Sequence, residues 1–106
     1  MSYDLYDSRG YVSYGPTISG MRDFRKWARP HPIINKFVEH GWTTQLPEFI
    51  TALSNVKARA SSPEAVRRML LRGAKRAKDI LILSDGVVAD NESQVPKRRR
   101  RVPGKR

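Results

Sequence analysis

The chain opens on two short segments, SYDLY and YVSY, in which tyrosines partly alternate with polar residues. Between them lies DSRG, turn chemistry that ends in glycine. This pattern predicts a β-hairpin. All four tyrosines, Tyr3, Tyr6, Tyr11 and Tyr14, fall in it. Two uses fit them: packing across the strands to cover the core edge, or stacking on nucleic-acid bases.

From GPTISG onward the apolar period changes to that of helices. Ser19 is placed to cap a helix over residues 20–28. Met21, Phe24, Trp27 and Ala28 share one of its faces, and Arg22, Arg25 and Lys26 take the other. Pro30 ends it. Pro32 can open a second helix, with Ile33, Ile34, Phe37 and Val38 inward and Gly41 as its stop. A third is led by Pro47 and Glu48, with Thr44 or Gln45 just outside it, and repeats Phe49, Ile50, Leu53 and Val56. After the polar linker KARASSP, Ser62, Pro63 and Glu64 start the clearest helix, residues 63–78. Its buried stripe is Val66, Met69, Leu70, Gly73 and Ala77.

The run ILIL, Ile80 to Leu83, reads as a buried strand closed by a Ser-Asp-Gly turn. It needs a pairing partner, and the N-terminal hairpin is the obvious one. The expected fold class is therefore α+β. About four short helices pack on a small sheet formed by the hairpin and the C-terminal strand. Residues 1–88 form the compact domain. Residues 89–106 are poor in apolar side chains and rich in charge, the composition of a disordered basic tail.

Composition narrows the function more than the fold. The chain has 106 residues, 39% hydrophobic and 29% charged, enough for one small core. The longest apolar run is four residues, so no membrane span is expected. The first residues lack the basic-then-apolar pattern of a secretory signal. There is no cysteine, which excludes disulfides and thiolate metal sites and fits a reducing compartment.

Candidate catalytic chemistry is thin. His31 and His40 have no carboxylate at metal-ligand spacing. GPTISG lacks the lysine and the spacing of a phosphate loop, and no nucleophile elbow occurs. Asp85, with Asp79 and Asp90, is the best carboxylate set for a metal-dependent nuclease. Asp79 and Asp85 are nevertheless expected at opposite ends of one strand, too far apart for one site. Trp27 is in phase with the core residues of its helix, whereas Trp42 follows the stop glycine and is the candidate protein-interface residue. The expectation is no enzyme, no cofactor and no metal.

Charge supplies the positive signal. The net charge is +11; residues 91–106 hold seven of the 21 basic side chains and one of the ten acidic ones, so they contribute +6 and the rest +5. Such a balance favours polyanionic partners. Arg67, Arg68, Arg72, Lys75, Arg76 and Lys78 cover the fourth helix outside its buried stripe, with Glu64 its single acid. Like charges on adjacent turns are unfavourable by a few tenths of a kcal/mol per pair, which an anionic partner would offset. Lys97, Arg98, Arg99, Arg100, Arg101, Lys105 and Arg106 form the densest run, held extended by Pro96 and Pro103. Arginine forks grip phosphates, and with no polar residue interleaved among Lys97 to Arg101 the run does not read base edges.

The expected function is a non-enzymatic, nucleic-acid-associated protein that binds a DNA or RNA backbone without sequence preference. These residues, Lys78 apart, would be its nucleic-acid-binding set. The alternative is a small structural or adaptor subunit of a phage or viral particle or a ribonucleoprotein, held by protein contacts. Size, charge and basic arm resemble ribosomal and virion proteins in general character. The matching locations are the cytoplasm, a viral particle, or the nucleus of a eukaryote, since such a run is also a nuclear import address.

Overall fold

The hairpin forms because Asp7 and Gly10 turn the chain between β1 (Ser2–Asp7) and β2 (Gly10–Thr17). The computed structural model describes residues 2–85. In them four helices follow: α1 (Ile18–Ala28), α2 (Pro32–His40), α3 (Leu46–Ser54) and α4 (Ser61–Arg76). A two-residue strand β3 (Trp42–Thr43) lies between α2 and α3, and β4 (Leu81–Ser84) follows α4. The four strands make one antiparallel sheet in the order β2-β1-β4-β3. This is the α+β architecture the apolar pattern predicts, and β4 does pair with the hairpin, Leu5 opposite Leu83. The predicted boundary at residue 88 and the tail beyond it lie outside the described residues.

Side-chain alternation divides the sheet into two faces. Leu5, Leu81 and Leu83 join Met21 and Phe24 of α1, Ile34 and Phe37 of α2, Phe49 and Leu53 of α3, and Val66 and Leu70 of α4 in one buried cluster. All four helices thus cover the Leu5 face. Tyr6 and Ile82, which pair with each other, point to the opposite face. No described helix is long and apolar enough to cross a membrane.

Several local details differ from the pattern-based reading. Thr17, not Ser19, caps α1; its hydroxyl accepts the Gly20 N–H at 3.0 Å. β2 runs directly into the helix, so the last strand residue becomes the cap. Ile33 is 47% exposed rather than inward, because the buried arc of α2 is set by Ile34, Phe37 and Val38. In α4 the chain buries Ala74 and Arg67 beside Val66, Leu70 and Gly73, while Met69 and Ala77 are only half-buried. β3 gave no pattern at all, since two residues have no period. Gly41 produces it: its left-handed φ of 84° ends α2, its N–H donates to the Phe37 carbonyl, and its own carbonyl accepts from Leu83.

Gly73 sets how closely α4 approaches the sheet. A Cβ there would lie 2.5 Å from Leu5 Cδ1 and 3.4 Å from both Leu81 Cδ1 and Ser13 Oγ. Leu5 is fully buried, so its methyl has nowhere to move. Gly73→Ala gains about 1 kcal/mol of helix propensity but overpacks the core by about 2 kcal/mol. A net loss of about 1 kcal/mol in urea unfolding is expected. A stabilised variant would show that α4 can lift off the sheet freely.

Candidate nucleic-acid interface

The spacing of basic residues on α4 places Arg68, Arg72 and Arg76 on one ridge, four residues apart, with Lys75 beside it. At 1.5 Å per residue the ridge runs about 12 Å. Arg68, Lys75 and Arg76 are exposed and Arg72 is half-exposed. α4 packs against β2, the outer strand of the sheet, and the Arg72 guanidinium lies 5.2 Å from the centre of the Tyr14 ring. The helical layer and the sheet edge therefore meet at this pair.

Arg67 does not join the ridge. Its side chain is 7% exposed, and its guanidinium is fully engaged. Nε donates to Glu64 Oε1 at 2.8 Å, one terminal nitrogen to Glu64 Oε2 at 2.6 Å, and the other to the Leu53 carbonyl at 2.6 Å. Glu64 also accepts the Ala58 N–H and Arg68 Nε. The unit ties the start of α4 to the end of α3. The Arg67 hydrogen bond, chiefly, holds the Glu64 carboxyl far below its usual range, and Glu64 in turn raises Arg67. Arg67 is thus placed as a buried structural cation, off the exposed ridge.

A second carboxylate orders the hairpin tip. Asp7 is 1% exposed at its side chain and pairs with Arg9, which is 59% exposed. It accepts the Arg9 and Lys78 N–H groups, at 2.8 and 2.9 Å, and the Arg9 guanidinium at 2.7 Å. Burial would raise its pKa, but the Arg9 side chain and the two backbone donors outweigh that and hold it below the normal value. Arg9 also reaches the Arg76 carbonyl at 3.4 Å, and Ser8 Oγ donates to Asp79. The tip is so fastened to the end of α4, and Arg9 extends the ridge beyond Arg76. In the sequence Arg9 reads as a turn residue; its one visible signal is a cation two positions after an Asp in a tight turn.

The other candidates are dispersed. Trp42 sits in β3, half-buried opposite Ile82, with His40 6.1 Å from its ring. The strand order puts it at the far edge from β2, so it and the α4 cations are separate features. Trp27 packs on Phe24 and on His31, which occupies the N-cap position of α2 without a capping side-chain bond. Asp79 and Asp85 flank β4 from opposite ends, and Asp79 is bonded to the hairpin tip. No group of three or more metal-ligating side chains occurs among the described residues. Lys97, Arg98, Arg99, Arg100, Arg101, Lys105 and Arg106 lie outside the described residues. Comparison with known protein families, with curated proteins and with solved structures finds no match.

Proposed function

We propose that this is a non-enzymatic, nucleic-acid-associated protein that holds a phosphate backbone through the α4 ridge and its Arg-rich residues 97–106. One observation carries the reading. Among the described residues no carboxylate lies within ion-pair distance of Arg72, Lys75 or Arg76, whereas Arg9, Arg67 and Arg68 each have one. Three like charges kept together unpaired repel one another, and a polyanion removes that cost. Binding of this kind displaces counterions and tolerates any sequence. It suits the cytoplasm, a particle or a nucleus equally.

The test is a salt series with a generic oligonucleotide, comparing the wild type with Arg72→Ala/Lys75→Ala/Arg76→Ala. Each lost phosphate contact lowers the slope of log affinity against log salt by about 0.9, so the triple variant should lose up to about 3 in slope. An unchanged affinity and slope would remove the ridge from the reading. The assembly-subunit alternative draws on half-buried Trp42. It predicts a defined protein complex that survives nuclease and weakens in Trp42→Ala.

A further inference from the structure

We infer that Tyr11 and Tyr14 are base-stacking side chains, and that the preferred ligand is a single strand rather than a duplex. This rests on the phosphate-binding reading and names its substrate class. The two rings are 61% and 55% exposed, the highest values among the large hydrophobic side chains of the described residues. They stand three residues apart on β2, a spacing that in a regular strand sends them to opposite faces. A β-bulge reverses this. Tyr6 pairs with Tyr11, Leu5 with Ser13 and Asp4 with Tyr14, so three steps on β2 match two on β1. Both tyrosines therefore share the face of Tyr6 and Asp4, about 7 Å apart along the strand. Bulges re-aim side chains in this way next to binding sites.

The Tyr14 ring also has a cation at its side. Arg72 lies over Tyr14 at 5.2 Å. Arg9, fixed by Asp7, is two residues from Tyr11 at the same end of the hairpin. The two exposed rings thus stand on an outer strand of the sheet that packs against α4, the helix carrying the cationic ridge. An extended single strand offers partners for both features, unstacked bases for the rings and phosphates for the cations. A duplex keeps its base faces inside the stack and offers these rings nothing. Tyr11 meets Tyr6 edge-to-face at 6.0 Å, which fixes the ring's position while leaving most of it exposed.

The experiment measures binding of the full chain to labelled oligo-dT, oligo-rU and a duplex of equal length. The variants are Tyr11→Ala/Tyr14→Ala and Tyr11→Phe/Tyr14→Phe. The alanine pair should weaken single-strand binding at least about 30-fold, taking the lower end of stacking energies for two bases. Its salt slope and its duplex affinity should stay those of the wild type. The phenylalanine pair keeps the rings and should bind within about twofold. The inference is overturned if single-strand affinity is unchanged in the alanine pair, or if single-strand and duplex affinity fall together. A wild type that binds neither form at low salt would overturn the phosphate reading itself. The dT and rU arms show whether the strand is DNA, RNA or either.

Discussion

Arg67→Ala should lose about 3 kcal/mol of folding stability, while Arg72→Ala should lose well under 1 kcal/mol. The two residues are both arginines of α4, five positions apart, and nothing in composition separates them. Their surroundings do. Arg67 is 7% exposed and spends its guanidinium on Glu64 and on the Leu53 carbonyl. Removing it leaves a partly buried carboxylate short of its main partner and a buried carbonyl without its donor, each of which is costly. It also cuts the hydrogen bond from α4 to the last turn of α3. Arg72 has a ring under it and, among the described residues, no ion-pair partner. Urea unfolding of the two variants measures the contrast. Equal losses would show that the Glu64–Arg67 unit carries no stability. Under the proposed function the same pair should reverse in binding: Arg72→Ala should weaken nucleic-acid affinity in the folded state, and Arg67→Ala should do so only by unfolding the chain.

Acid should unfold the protein through Asp7 and Glu64. Both carboxyls have folded-state pKa values below their ordinary ones, Asp7 against a burial cost and Glu64 chiefly through Arg67. A depressed carboxylate contributes stability that is fully present above its unfolded pKa, about 4, and that is lost as pH falls through the folded value. Stability should thus stay level from pH 7 to about 5 and fall steeply below about 4. Asp7→Asn keeps the shape but not the charge, and should cost about 2 kcal/mol at pH 7 because four hydrogen bonds converge on that carboxylate. The gap between wild type and variant should then close as the pH drops below 4. A gap that stays constant down to pH 2 would mean that Asp7 ionisation does not contribute to folding.

The helices were legible because their apolar residues recur at helical spacing around Pro30, Pro32, Gly41 and Pro63. The sheet was legible in outline, since ILIL had no other strand to join. What stayed hidden depends on contacts distant in sequence. Arg67 and its acceptor Leu53 are 14 residues apart, and Asp7 and Lys78 are 71 apart. An arginine turned inward and one turned outward look alike until those partners are placed. The basic set on α4 was readable, except for Arg67, which is buried, and Lys78, which lies beyond the helix end. The tyrosine face was only half readable: four tyrosines in one hairpin were evident, but the bulge that aligns Tyr11 with Tyr14 leaves no mark in a spacing of three.

The position of β4 has a consequence for how the chain acquires its structure. The last of the four strands in sequence is an inner strand in space, lying between β1 and β3. The sheet therefore cannot grow in the order of synthesis. β1 must wait for a partner more than 70 residues away, and a gap of that size lowers the folding rate through loop-closure entropy. Until residues 81–84 arrive, the nascent chain holds a hairpin and amphipathic helices around an unfilled slot. A cooperative, late folding step follows from this topology. In that interval the exposed cations of α1 and α4 keep the unfinished chains apart by mutual repulsion.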